Sequence, residues 1–230
     1  MWAWRYGPTA IYYRDVDDYV IHPAYDKSTY DNDIALLHLA KPISLSDFDG
    51  IKPVCLPPPS ADFTGRNATA TGWGKLSYNG DQSETAQEVS VPVRTRKECA
   101  EAFGRLFTDH MICAGVAEGG KDACKGDSGG PLTVQEADGR HTLAGIVSWG
   151  DGCGKPGLYG VYAETRGKTG SCQAGTTSVS SRKFCFKMTI CMIIKQNHYY
   201  LFMADYLVLV FFKGYLIIIY LLQNVLFLWL

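Results

Sequence analysis

No proline follows Pro156, and beyond Phe184 the single glycine is Gly214, so the end of this 230-residue chain has almost nothing with which to make turns. The eight cysteines include no Cys-x-x-Cys pair, which excludes zinc ribbons and thioredoxin-like redox sites. An excess of charge of either sign is also missing. With 22 Lys and Arg against 23 Asp and Glu, the net charge of −1 lacks the basic surplus of a nucleic-acid binder, so no nucleic-acid partner is expected. A charged fraction of 20% beside 47% hydrophobic residues excludes a disordered chain. No apolar stretch follows Met1-Trp2-Ala3-Trp4-Arg5-Tyr6-Gly7-Pro8, so no signal peptide is read there. No residue cluster carries a defensible metal-ligand or cofactor spacing, and neither a metal nor a cofactor is expected.

Two unlike stretches make up the chain. Up to Arg166 it holds 16 basic and 22 acidic residues; beyond, it holds 6 and 1, in a segment crowded with Phe, Ile, Leu, Tyr and Lys. A boundary is therefore read at residue 166, giving units 1–166 and 167–230. The first unit reads as all-β. Short β-branched and aromatic runs such as Tyr19-Val20-Ile21, Ala68-Thr69-Ala70-Thr71, Val89-Ser90-Val91 and Gly145-Ile146-Val147-Ser148 alternate with turn clusters such as Tyr78-Asn79-Gly80-Asp81 and Ala137-Asp138-Gly139-Arg140. The spacing leaves no room for crossover helices, so antiparallel barrels or a sandwich follow. Lys97 to Phe103 is the one helical candidate, and eight cysteines in a chain this long suit an oxidising compartment.

Chemistry centres on Gly126-Asp127-Ser128-Gly129-Gly130-Pro131. A serine flanked by glycines can sit on a tight exposed turn where its own N–H and that of Gly126 converge on one point, as an oxyanion hole requires. Alone, such a run is more often only a turn. Here it follows Asp31-Asn32-Asp33-Ile34-Ala35-Leu36-Leu37, Thr71-Gly72-Trp73-Gly74 and Met111-Ile112-Cys113-Ala114-Gly115, and precedes Ser148-Trp149-Gly150. In that order these motifs resemble the trypsin-like serine proteases over residues 16–166, nearest to the secreted arthropod members of proteolytic cascades.

The resemblance implies an all-β fold of two antiparallel six-stranded β-barrels, the N-terminal one incomplete in this chain. It assigns Ser128 as nucleophile, Asp33 as the carboxylate that orients the catalytic histidine, and the Gly126 and Ser128 amides as the oxyanion hole. Asp122, six residues before Ser128, matches the base of the primary specificity pocket, where a buried carboxylate favours an Arg or Lys side chain. Ser148, Trp149, Gly150 and Gly160 match the pocket wall and peptide cleft. Protein or peptide substrates cut after Arg or Lys, protease inhibitors and an extracellular location are thereby implied. So are the disulfides Cys99–Cys113 and Cys124–Cys153. Cys55 matches a cysteine that tethers the domain to an upstream segment, and with no cysteine before it, it is expected to be left odd. Cys172, Cys185 and Cys191 have no counterpart. Asn67-Ala68-Thr69 is a glycosylation sequon abutting an expected strand, and its occupancy is open.

Departures from the family pattern qualify the activity. No Thr-Ala-Ala-His-Cys type motif precedes Asp33, and His22, His38, His110, His141 and His198 each fit a strand or loop position, so none is assigned as general base. An Ile-Val-Gly-Gly type start, whose amino group would pair with Asp127, is also not found. The chain as given is therefore expected to be inactive, with a non-catalytic binding homologue as the alternative. After Ala163-Glu164-Thr165-Arg166 the family would continue into an amphipathic helix; instead Gly167-Lys168 follows, which GGTAAG, a splice-donor-like hexamer, encodes. The tail is read as translated intron. Its rival is a membrane anchor within residues 201–230, since the 17 uncharged residues 214–230 reach roughly 26 Å against a hydrocarbon core of about 30 Å.

Overall fold

A computed structural model describes residues 15–39 and 54–167, together with short strands at 192–193, 210–212 and 215–217. The chain runs β1 (Val16–Ile21), β2 (Ala35–Leu39), β3 (Asn67–Gly72), β4 (Gln87–Pro92), α1 (Arg96–Phe103), β5 (Met111–Ala114), β6 (Pro131–Gln135), β7 (Arg140–Trp149), β8 (Gly160–Glu164), β9 (Met192–Ile193), β10 (Val210–Phe212) and β11 (Tyr215–Ile217).

Six of these strands lie side by side in the order β4-β3-β6-β7-β8-β5, all pairs antiparallel, with β9 added beside β7. The sheet curls until its ends meet. Val93, just past β4, bridges Ala114 of β5, and Arg94 N–H to Cys113 C=O at 2.9 Å and Gly115 N–H to Pro92 C=O at 3.1 Å complete the seam. Small and large side chains share the interior: Ala68, Val91, Leu132, Ala144 and Tyr162 are fully buried there. β3 shows how the sequence selects its face, because Ala68, Ala70 and Gly72 point in while Asn67, Thr69 and Thr71 point out, the period-2 rule of a strand.

β7 is buried along most of its ten residues because both of its faces are covered. One face lines the curled sheet. On the other, Leu143 and Ile146, with Ala163 of β8, pack against Ile34, Leu36, Val54 and Leu56. Leu36 belongs to the sheet β1-β2-β11-β10, in which β1 and β2 form an antiparallel pair, while Val54 and Leu56 flank Cys55, which bridges Thr142 of β7. The fold is thus all-β, with one curled six-stranded sheet and a first sheet that does not make up a full barrel.

The single α-helix among the described residues starts one residue before the expected Lys97. Its N-terminus is a capping box: the Thr95 hydroxyl accepts from Glu98 N–H at 3.2 Å while Thr95 N–H donates to Glu98 Oε2 at 2.8 Å. Gly104, at φ 58°, ends it. Cys99 on its buried side is bonded to Cys113 of β5, and Cys124 is bonded to Cys153, the two pairings that the family likeness implies. The expectation for Cys55 is overturned. Cys55 is buried and disulfide-bonded, to a cysteine outside the described residues. Loop-closure cost rises just logarithmically with separation, so distance along the chain does not by itself leave a cysteine unpaired.

The tail beyond residue 167, including His198, Cys172, Cys185 and Cys191, lies outside the described residues apart from β9, β10 and β11. Among the described residues no helix is long and apolar enough to cross a membrane.

Burial sets the cost of core changes. Leu132 is fully buried, whereas Leu76 is 70% exposed in a turn. Leu132→Ala is expected to lower unfolding stability in urea by about 2–5 kcal/mol, and Leu76→Ala by no more than about 0.5 kcal/mol.

Candidate active site

Asp33 sits at the end of the loop that joins β1 to β2, and that loop is held by polar contacts. Tyr30 and Asn32 take left-handed backbone conformations at φ 59° and 54°, which a non-glycine residue adopts only when its surroundings enforce it. Asn32, buried, donates from Nδ2 to Ala24 C=O at 3.1 Å and to Asp31 Oδ2 at 2.9 Å. Asp31 in turn meets Nδ1 of His110 at 2.9 Å and the hydroxyl of Thr108, both just before β5. The loop carrying Asp33 is thereby fastened to the curled sheet.

Asp33 itself is only 2% exposed. Its Oδ2 accepts from Ser148 Oγ at 2.8 Å. Ser148 can reach across because β7 is bulged there: Val147 pairs with Tyr162 and Trp149 with Val161, leaving Ser148 as the extra residue. The structure therefore joins two residues that the sequence placed in separate roles. Burial pushes the Asp33 carboxyl up to about 7, the Ser148 hydrogen bond opposing. Tyr25, whose buried hydroxyl makes no hydrogen bond among the described residues, is pushed up to about 12 by burial and then by Asp33.

Two of the described histidines are engaged elsewhere, and His141 is partly buried with its Nδ1 unpartnered among the described residues. Nδ1 of His110 is spent on Asp31, Nδ1 of His22 accepts from Ala24 N–H at 3.3 Å, and burial holds the His141 imidazole below its ordinary range. His198 lies outside the described residues, as does the His38 side chain.

Ser128 is half-buried on a turn whose shape depends on neighbouring glycines, Gly126 at φ 98° and Gly129 at φ 78°. Three backbone bonds fix it: Asp127 N–H to Cys124 C=O at 2.9 Å, Gly130 N–H to Asp127 C=O at 2.7 Å and Gly129 N–H to Val147 C=O at 2.9 Å. The N–H groups of Gly126 and Ser128 donate to no partner among the described residues, so both remain available to a ligand. The Asp127 carboxylate turns inward, accepting from Gly74 N–H at 2.8 Å and Cys124 N–H at 2.9 Å. Its cradle was not foreseen. A Cβ on Gly72 would collide with Asp127 Oδ1, and one on Gly74 would stand 2.6 Å from the same atom. The alternating glycines of Thr71-Gly72-Trp73-Gly74 were the available signal, since a strand that gives up side chains at i and i+2 is admitting something close.

Asp122 lies beside this turn with one oxygen satisfied and one not. Oδ2 accepts from Gly154 N–H at 2.9 Å, whereas Oδ1 is buried without a hydrogen-bond partner among the described residues. A Cβ on Gly160 would lie 2.6 Å from Oδ1, so only glycine leaves that oxygen uncovered. Gly150 is less constrained, its nearest would-be contact being Gly152 C=O at 3.5 Å. The Cys124–Cys153 bond ties the segment from Asp122 to Ser128 to that from Gly150 to Gly154. Burial pushes Asp122 up to about 6, against the Gly154 bond, with the Asp127 charge adding to the rise. Tyr162, fully buried with its hydroxyl unpartnered, stands against the same glycine. Trp149 is half-buried and packs edge-on to Phe103 at the end of α1, ring centroids 5.0 Å apart. Among the described residues no cluster of three or more metal-ligating side chains occurs.

Three carboxylates among neutral donors, Asp33 buried and Asp122 and Asp127 half-buried, push stability in one direction with pH. Asp33, Asp122 and Asp127 are all raised by burial, so the folded chain binds protons that the unfolded chain releases. The stability this gives is fully present below the unfolded pKa near 3.8 and is lost as pH rises through about 7 for Asp33 and about 6 for Asp122. The urea midpoint is expected to fall between pH 5 and pH 8, Asp33 alone accounting for about 2–3 kcal/mol and the lowered His141 imidazole opposing the fall in part. In Asp33→Asn the drop should shrink by that amount; an unchanged slope would contradict the burial of an unpaired carboxylate.

Comparison with known proteins places this geometry. The family model described as trypsin matches residues 7–168. The chain is 45% identical over 157 residues to the serine protease filzig of Drosophila melanogaster, covering 66% of this chain and 9% of that protein. It is 46% identical over 151 residues to trypsin-1 of the crayfish Astacus astacus, covering 65% and 62%, and 43% identical over 149 residues to mannan-binding lectin serine protease 1 of Rattus norvegicus, covering 63% and 20%. The chain thus spans less than two thirds of the length of each. The stretch matched by the family model takes in Asp33, Asp122 and Ser128 and is well over half of the 230 residues, so the chain belongs to the trypsin family of serine proteases.

Proposed function

We propose that residues 1–166 form a trypsin-like serine endopeptidase domain whose slot accepts the side chain of Arg or Lys. The observation that carries this reading is Asp122 Oδ1, a buried carboxylate oxygen with no hydrogen-bond partner among the described residues, kept open by Gly160. An unpaired buried charge is costly, and a guanidinium or ammonium entering the slot removes that cost, whereas an apolar side chain leaves it in place. Ser148, Trp149 and Gly150 line the way to it.

In this reading Ser128 Oγ attacks the carbonyl carbon of the bond after the basic residue. The oxygen of the tetrahedral adduct receives the two free amides of Gly126 and Ser128, whose positions are set by the turn before substrate arrives. The proton leaving Ser128 needs a base oriented by Asp33. Asp33 takes its hydrogen bond from Ser148, and the Nδ1 atoms of His22 and His110 are engaged elsewhere, so no described histidine is assigned that role and the chain as given turns over at most marginally. The same observation favours a second reading, a homologue that binds basic peptides without cleaving them. Both readings suit an extracellular protein acting on polypeptides and open to protease inhibitors, and residues 167–230 stand outside the peptidase domain in either.

Titration with 4-aminobenzamidine, an aromatic amidinium whose fluorescence rises on desolvation, tests the slot. The chain is expected to bind it, and Asp122→Ser to weaken binding by about 30-fold or more, the effect of removing one partner from a buried charge pair. Equal affinity in both proteins would refute the assignment of Asp122. Hydrolysis of an arginine ester should be barely above background; a rate comparable to that of an intact trypsin and abolished by Ser128→Ala would show that a histidine of this chain does serve as base.

A further inference from the structure

We propose that Asn67 carries an N-linked glycan. Asn67-Ala68-Thr69 is the single Asn-x-Ser/Thr sequon in the 230 residues, and its middle residue is not proline. Strand alternation turns both ends of the sequon outward: Asn67 is exposed and Thr69 half-exposed, while Ala68 between them is fully buried. The surroundings have room. Asn67 opens β3 directly after a turn in which Gly65, at φ 76°, has nothing within 4 Å of where a Cβ would stand. Its neighbour across the strand pair is Pro92, which has no N–H to give the ladder at that position. Arg66 is drawn aside, donating to Gln135 C=O at 2.9 Å and Glu136 Oε2 at 3.0 Å, and does not cover the asparagine amide.

The attachment is an ordinary group transfer. The Asn67 side-chain nitrogen forms a bond to the anomeric carbon of an oligosaccharide delivered on a lipid pyrophosphate; the sugar–phosphate bond breaks, the lipid pyrophosphate leaves, and the amide gives up one proton. The location is compatible with the slot. Asn67 is five residues from Gly72, which touches Asp127, and at about 3.4 Å per residue the glycan roots roughly 17 Å away along β3. A bulky, hydrated group there covers the rim of the sheet and leaves the approach to Ser128 open.

In the cell this modification rests on the extracellular route proposed above, so the test supplies that route itself. The full 230-residue chain is translated with microsomes behind a cleavable signal peptide and a short tag bearing one reference sequon. Wild type is expected to carry two glycosidase-sensitive mobility steps. Asn67→Gln and Thr69→Ala should carry one, and Thr69→Ser, which keeps the hydroxyl, should keep two. A wild-type chain with the reference step alone would overturn the proposal without bearing on the extracellular assignment. Asn67 is exposed and makes no core contact, so loss of the step in Asn67→Gln would not be a folding effect.

Discussion

Burial of negative charge without a countercharge is the constraint around which this molecule is arranged. Asp33, Asp122 and Asp127 lie in or beside one curled sheet, and the hydrogen bonds that stabilise them come from neutral groups: a serine hydroxyl for Asp33, and backbone amides for Asp122 and for each oxygen of Asp127. Each is raised above the ordinary carboxylate range by desolvation. A domain selected for stability alone would replace such groups with apolar residues of the same volume. Their cost is what the proposed function would offset, through a cation at Asp122 and a base beside Asp33.

Backbone rather than side chains does most of the positioning. The bulge at Ser148 aims its hydroxyl at the other sheet, the glycines at 72 and 74 make space for Asp127, and Gly160 keeps one oxygen of Asp122 bare. These devices act because the surrounding core is packed on both faces of β7, so that a local change in register is not relaxed away. The Cys124–Cys153 link joins the segment that carries Asp122 to the one that carries Gly154, which fixes their separation independently of the sheet.

Much of this was legible in the sequence. Alternation in Ala68-Thr69-Ala70-Thr71 and the runs around Val91 and Ile146 announced strands, and the helix beginning near Lys97 was off by one residue because the Thr95 and Glu98 capping box lies just upstream of the apolar signal. The order of the motifs around Asp33, Asp122 and Ser128 pointed to the family. Contacts between distant segments were not readable, since nothing local to Asp31 indicates His110, and nothing local to Ser148 indicates a bulge. Cys55 departs from expectation for a related reason: a disulfide partner is a fact of three-dimensional proximity, which a family likeness in sequence does not settle.

Asp122 and Asp127 have similar surroundings but different availability, and the difference rests on one hydrogen bond. Both oxygens of Asp127 accept an amide, so its charge is met from within the fold. Asp122 has an amide on Oδ2 alone and feels the Asp127 charge besides, which leaves its carboxyl near 6. Proton and cation therefore compete for the same oxygen. On the reading proposed above, a guanidinium entering below about 6 must displace a proton from the carboxyl, whereas above it the charge is already developed and binding carries no deprotonation cost. A cation seated on Oδ1 would also relieve the repulsion on Asp127 and lower the pull on the Tyr162 hydroxyl, whose titration is raised by burial and then by both carboxylates. A basic side chain meeting Oδ1, as proposed above, would thus ease several raised groups at once, since Asp122, Asp127 and Tyr162 feel one another's charge.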